Sequence, residues 1–208
     1  AVEEAARGSA SRLFEKILSA TTELRKRQPD KQIIYICTLQ RANADAATMR
    51  AMCELLREQR VLGIFNGLRE QAATVDADAR ILAHAPSEEA LNECFSTLVE
   101  LKRRGYPILN SGTHLRAMQD GPPRYRCHWP KFMLPIEANG DVVDCMHWGT
   151  RPIGNVTQAS FAEILGSARL AALAGSEGER CHKCVSIHRV EISEVCSGNL
   201  EPIRSWQL

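Results

Sequence analysis

Hydrophobic positions change their period several times along the chain, and each change marks an element. From Ser9 to about Arg27, Leu13, Phe14, Ile17, Leu18 and Leu24 recur at helical spacing. Ile33-Ile34-Tyr35-Ile36-Cys37 is a continuous β-branched and aromatic run, the pattern of a buried parallel strand. Asn43 or Asp45 is placed to cap a helix whose inner face carries Met49, Met52, Cys53, Leu55 and Leu56. Val61 to Phe65 reads as a second strand, and Asn66 to Pro86 shows no clear period. Ser87 then opens a helix with Glu88 and Glu89 in its first turn, where the helix dipole favours acids. Tyr106-Pro107-Ile108-Leu109 is a third short strand, followed by Asn110-Ser111-Gly112 and a short helix around His114 to Met118. Parallel strands need helical crossovers, so residues 1–119 are expected to be α/β, part of a (β/α) barrel with about three parallel strands. Three strands do not close a barrel, and the missing ones are expected upstream.

The turn-rich segment Asp120-Gly121-Pro122-Pro123 marks a boundary, and beyond it the pattern changes. Phe132 to Glu137 and Asp141 to Met146 flank Asn139-Gly140, a strong hairpin signal because both residues tolerate positive φ. Ser160 and Glu163 have capping-box spacing and open one helix that carries Phe161, Ile164, Leu165, Leu170 and Leu173, with Gly175 placed to end it. Residues 120–208 are thus expected to be a small α+β domain with a β-hairpin and one helix.

Charge narrows the choice of partner. Among 208 residues, 26 Lys and Arg face 25 Asp and Glu, without a long block of one sign. That leaves no broad footprint for nucleic acid or for a membrane surface, and favours a small molecule or a protein. The basic run Lys102-Arg103-Arg104 falls at a helix end, where it complements the dipole. No apolar run approaches the roughly 20 residues that cross a bilayer, and AVEEAARGSASR has no signal-peptide core, so a cytoplasmic location is expected. The sequence begins with Ala1, already in a helical pattern, which points to a longer parent protein.

Eight cysteines change the picture further. Their uneven distribution does not suit a disulfide-stapled domain, and in a reducing compartment clustered cysteines point to metal. Cys127 and Cys145 are separated by 17 residues, and after a gap of 35 come Cys181 and Cys184 in a C-x2-C pair. A tight turn lets such a pair aim two sulfurs at one ion or cluster, and a hairpin followed by a helix can return the distant ligands to them. The stretch His128-Trp129-Pro130-Lys131 must fold back for the sulfurs of Cys127 and Cys145 to meet. Spacing alone leaves three readings open: a tetrahedral zinc site, an iron-sulfur cubane, and four buried cysteines that hold nothing. His128, His147 and His182 are either further ligands or neighbours of the sulfurs, Trp129 and Trp148 either cover the site or simply fill a core, and Cys196 is a replacement ligand or a bystander. Cys37, Cys53 and Cys94 lie on a strand or helices and read as small core hydrophobes.

In a barrel the residues just past the strand carboxy ends face the active site. By that rule Thr38, Gln40, Arg41 and Asn43, then Asn66 and Arg69, then Asn110, Ser111 and His114 are candidate cofactor or substrate contacts, with turn and capping chemistry as the competing role.

Cys127-x12-Gly140-x4-Cys145 resembles the opening motif of the SPASM and twitch domains that follow the barrel in many radical S-adenosylmethionine enzymes. Glu137-Ala-Asn139-Gly140-Asp141-Val-Val, then Pro152-Ile153-Gly154-Asn155-Val156 leading into a helix, then the paired cysteines, are similar in order, so the likeness covers residues 125 to about 195. A full SPASM domain has further cysteines soon after the pair, whereas here only Cys196 follows, beyond 11 residues. The pattern therefore resembles the shorter twitch type, as in the dehydrogenases that oxidise aminocyclitols. The likeness implies one auxiliary [4Fe-4S] cluster on Cys127, Cys145, Cys181 and Cys184, in a chain that supports radical modification or oxidation of a small-molecule or peptide substrate. It also implies an electron donor such as flavodoxin or ferredoxin. Arg7-Gly8, Thr38 with Asn43, and Ile108-Leu109-Asn110-Ser111 resemble more loosely the second half of the radical barrel. The C-x3-C-x2-C loop of that family does not occur in this sequence. S-adenosylmethionine and a second [4Fe-4S] cluster are thus expected only with an amino-terminal part, and this chain alone is expected to be inactive. The alternative is a non-catalytic, zinc-stabilised four-cysteine scaffold module.

Overall fold

The computed structural model describes residues 12–67, 83–119, 127–143, 152–175 and 186–205. Helix α1 (Leu13–Arg27) leads into strand β1 (Ile34–Leu39), helix α2 (Ala46–Glu58) and strand β2 (Leu62–Gly67). Helix α3 (Glu88–Arg103) and helix α4 (Gly112–Gln119) complete the first part. Asp45 caps α2: its carboxylate accepts from the Thr48 N–H at 2.7 Å, and Ser87 caps α3 through the Ala90 N–H. At the other end of α3, Lys102 donates to the Ile108 carbonyl at 2.8 Å.

β1 and β2 pair in parallel from Ile34 opposite Leu62 to Leu39 opposite Gly67. The third expected strand shrinks to one parallel bridge of Ile108 with Gly63, held by Gly63 N–H to the Pro107 carbonyl and Leu109 N–H to the Gly63 carbonyl. Pro107 has no N–H to donate, which limits the ladder there. Gly63 lacks a side chain for a packing reason, since a Cβ there would run into Leu56.

The sheet has two unlike faces. Tyr35, Cys37, Leu39 and Phe65 join α2, α3 and α4 in the main core, with Met49, Cys53, Leu56, Phe95, Leu98 and Leu115. On the other face Ile64, Leu109 and Ile187 cluster with Leu62, while Ile36 is 67% exposed. The continuous apolar run of β1 predicts burial on both sides, and among the described residues only one side is fully covered.

The second part begins with a 3-10 turn (Trp129–Lys131) just after Cys127. Strand β3 (Asp141–Val142) bridges to Ile136 and pairs antiparallel with strand β4 (Gly154–Asn155). The turn before β3 uses positive φ at Gly140 alone, at 87°, with Gly140 N–H bonded to the Glu137 carbonyl and Glu137 N–H to the Asp141 carbonyl. That is a longer loop closed by a left-handed glycine, not the two-residue turn that Asn139-Gly140 alone predicts. The expected single helix is two: α5 (Phe161–Leu165), opened by the Ser160 and Glu163 capping box, and α6 (Ala168–Gly175). Gly166 caps α5, and the Ser167 hydroxyl accepts from the Leu170 N–H to start α6 afresh.

Helices α7 (Ile187–Cys196) and α8 (Glu201–Ser205) were not expected from the sequence. Both pack on α4, and α7 also meets the 3-10 turn. The carboxy-terminal helices therefore return to the α/β part; the break drawn at residue 120 lies outside the described residues. Among the described residues no helix is long and apolar enough to cross a membrane.

Candidate metal centre

The cysteines fall into two chemical classes. Cys53 and Cys94 are fully buried in the main core, and Cys37 packs against it half-buried. Burial first, then Cys37 and Glu54, pushes the Cys53 thiol up to about 12. Burial, then Asp45 and Glu93, pushes Cys94 up to about 11. Both stay protonated at neutral pH and suit a core, because metal binding needs the thiolate.

Cys127 is half-buried at the entrance to the 3-10 turn. Cys145, Cys181 and Cys184 lie outside the described residues, as do His147, Trp148, His182, Arg69, Arg7 and Gly8. Among the described residues no three His, Cys, Asp or Glu side chains gather as a metal site. What the structure does describe is the framework that carries the ends of the cysteine segment. The His128 N–H donates to the Ser193 hydroxyl at 2.9 Å, fixing the chain after Cys127 to α7. Helix α7 opens three positions after Cys184, and its N-cap, Ser186, makes no side-chain cap bond. An uncapped helix amino terminus favours thiolate over thiol nearby.

One turn before Ser193 on the same helix, Arg189 lies with its guanidinium carbon 4.9 Å from the centroid of the Trp129 ring. Trp129 and Arg189 are both buried, and neither Trp129 Nε1 nor Arg189 Nε has a hydrogen-bond partner among the described residues. Two orphaned N–H donors beside a cysteine segment fit a group rich in acceptor sulfur. Cys196 ends α7 with its thiol exposed, beside a groove of about 500 Å³ lined by Phe132, Ile192, Val195 and Ile203.

Residues 127–185 match the family model of SPASM, an iron-sulfur cluster-binding domain. The match opens on Cys127 and closes one residue past Cys184, so it spans the four cysteines singled out by spacing and excludes Cys37, Cys53, Cys94 and Cys196. The chain therefore carries a SPASM-type iron-sulfur cluster-binding segment. No curated protein and no solved structure matches the chain.

The strand-end candidates divide by burial. Thr38 and Asn66 are register partners at the carboxy ends of β1 and β2; Thr38 is exposed and Asn66 half-buried. Asn43 closes the β1–α2 loop, its amide donating to the Thr38 carbonyl at 3.1 Å and accepting from the Gln40 N–H at 2.6 Å. Arg41, exposed, is tied by its N–H to the His84 carbonyl. Asn110 is 0% exposed: its amide accepts from Phe65 N–H, donates to the Phe65 carbonyl, and meets His114 Nδ1 at 3.1 Å. The Ser111 hydroxyl accepts from the His114 N–H. Asn110, Ser111 and His114 are thus structural cement between β2 and α4.

The sequence reading missed two carboxylates at the same place. Glu191 of α7 accepts from the Ser111 N–H at 2.7 Å, and Glu201 of α8 accepts from the Gly112 and Thr113 N–H groups at 2.5 and 2.9 Å. They satisfy the first N–H groups of α4, which no residue of α4 itself can do. Burial pushes the Glu201 carboxyl up, but the Gly112 and Thr113 donors outweigh it and hold the group below its ordinary value. The available signal was the spacing of Ile187, Val190 and Val195 after Ser186, a short stripe easily passed over beside the cysteines.

Proposed function

We propose that this chain is the carboxy-terminal part of a radical S-adenosylmethionine enzyme, in which Cys127, Cys145, Cys181 and Cys184 hold one auxiliary [4Fe-4S] cluster. The observation that carries this reading is the SPASM match, which opens on Cys127, closes one residue past Cys184 and so spans all four of those cysteines. A cluster held by four thiolates supplies one-electron transfer, since no iron is left open to substrate. The residues of this chain bind it, shield it and anchor it: Trp129 excludes water on one side, and the Ser193 bond to His128 N–H ties the Cys127 end to α7.

In the same reading residues 1–119 are part of a (β/α) barrel, and the apolar face bearing Ile34 and Ile36 meets the strands of its other part. Thr38, Asn43 and Asn66 border the mouth where S-adenosylmethionine or substrate would sit, with Asn110 and Ser111 holding that rim in shape. The substrate is a small molecule or a peptide, oxidised or modified by radical chemistry that needs the C-x3-C-x2-C loop and its own [4Fe-4S] cluster from an amino-terminal part. The protein works in the cytoplasm with an electron donor of the flavodoxin or ferredoxin kind.

Anaerobic purification and metal analysis test the reading. A brown protein with a broad band near roughly 400 nm and about four irons and four sulfides per chain is expected from cubane stoichiometry. A colourless protein with one zinc contradicts it and makes the segment a zinc-stabilised scaffold.

A further inference from the structure

Trp129 and Arg189 are 8% and 6% exposed, and each keeps a buried N–H, Nε1 and Nε, without an acceptor among the described residues. Leaving a buried donor unmade is costly, and a buried cation without a counter-charge costs more. Stacking of the guanidinium on the indole at 4.9 Å returns only part of that cost. Among the described residues Arg189 forms no ion pair; the neighbouring carboxylate of Glu191 is bonded to the Ser111 N–H. Among the described residues the pair has no anionic acceptor.

The sequence places a cysteine of the matched segment close along the chain to each member of the pair. Trp129 follows Cys127 by two positions, and Arg189 follows Cys184 by five. The stacked pair therefore joins the two stretches of chain that lead out of the cysteine segment. A cluster on four thiolates is anionic, and both its sulfide and its cysteine sulfurs accept N–H bonds.

Resting on the iron-sulfur reading above, we propose that Arg189 and Trp129 form a cationic, N–H-donating wall of the cluster site and raise its reduction potential. They are positioning residues. One-electron reduction adds a negative charge to the site, so a fixed positive charge and N–H donors stabilise the reduced form more than the oxidised one.

The test is a dithionite titration of the reconstituted chain, followed by electron paramagnetic resonance, with iron per chain measured in every sample. Arg189→Met is expected to disfavour reduction at least tenfold, about 59 mV for one electron. Trp129→Phe, which keeps a ring and removes the N–H, is expected to shift it less in the same direction, and Arg189→Lys to restore most of the loss. Should Arg189→Met fail to fold, Trp129→Phe and Arg189→Lys decide. Unchanged potentials in iron-replete Trp129→Phe and Arg189→Met, or in Trp129→Phe alone if Arg189→Met does not fold, overturn the proposal and leave the cluster reading intact. A potential in Arg189→Lys as low as that in Arg189→Met, or well below wild type if Arg189→Met does not fold, also overturns it. Wild-type chain without iron removes the cluster reading itself.

Discussion

Among the described residues, fifteen buried hydrophobic residues from Leu39 to Met118 form one core in the α/β part, whereas the hairpin and its two helices rest on Val142, Ile153 and Ile164, with Leu134, Ala159 and Leu170 at the margin. Cysteines follow the same division: Cys53 and Cys94 are part of the larger core, with their thiols held protonated. In the cysteine segment Cys127 is half-buried two positions before Trp129, whose ring stacks with Arg189 and whose Nε1 has no partner among the described residues. A region with enough apolar surface folds around it. A region without enough needs another source of stability, and metal binding supplies folding free energy directly.

The largest test of this contrast is iron removal. Chelation is expected to abolish hydrogen-exchange protection around β3, β4 and α5 while α2, α3 and β2 keep theirs; equal protection in both states would break the comparison. Next in size, Leu98→Ala in the main core, where Leu98 is fully buried, should cost about 2–5 kcal/mol in denaturant unfolding. Its iron content should not change, because the two regions are stabilised differently. Gly140→Ala should cost about 1–2 kcal/mol, since the position has a φ of 87° and an added Cβ would come within 2.9 Å of Asn155 Oδ1. The expected site of damage is β3–β4 and not the α/β core.

The smallest effect concerns the joint between the regions. The lowered Glu201 carboxyl contributes stability that is fully present above its ordinary value of 4.5 and is lost as pH falls through its lower folded value. Acid titrations should show wild type more stable than Glu201→Gln at pH 7, with the difference closing as pH falls below 4.5 and through the lower folded value. A difference that persists into acid would mean that Glu201 acts by packing and not by charge.

Period and caps were legible in the sequence where a single element decides its own fate. Asp45, one of the two caps expected for its helix, Ser87 and the Ser160–Glu163 box cap their helices. Distant context decided the rest. Tyr106–Leu109 has strand composition, yet Pro107 and the meeting with Gly63 leave it one bridge. The helix expected across residues 160–175 was broken by the pair Gly166-Ser167, whose local bonds outweigh the continuing apolar stripe. Asn110 and Ser111 looked like ligand contacts because strand-end polar residues often are. Asn110 is spent on the Phe65 backbone and His114, and the Ser111 N–H on Glu191, 80 positions further along the chain, a pairing that no local pattern announces. The cysteine segment was legible because its spacing is itself the signal, and the SPASM match spans that segment.

Iron per chain across single Cys→Ser variants tests the central claim most directly. Substitution of Cys127, Cys145, Cys181 or Cys184 is expected to lower iron from about four per chain toward zero, while Cys53→Ser and Cys196→Ser keep the wild-type amount. Full iron in any of the first four, or its loss in Cys196→Ser, would contradict the assignment.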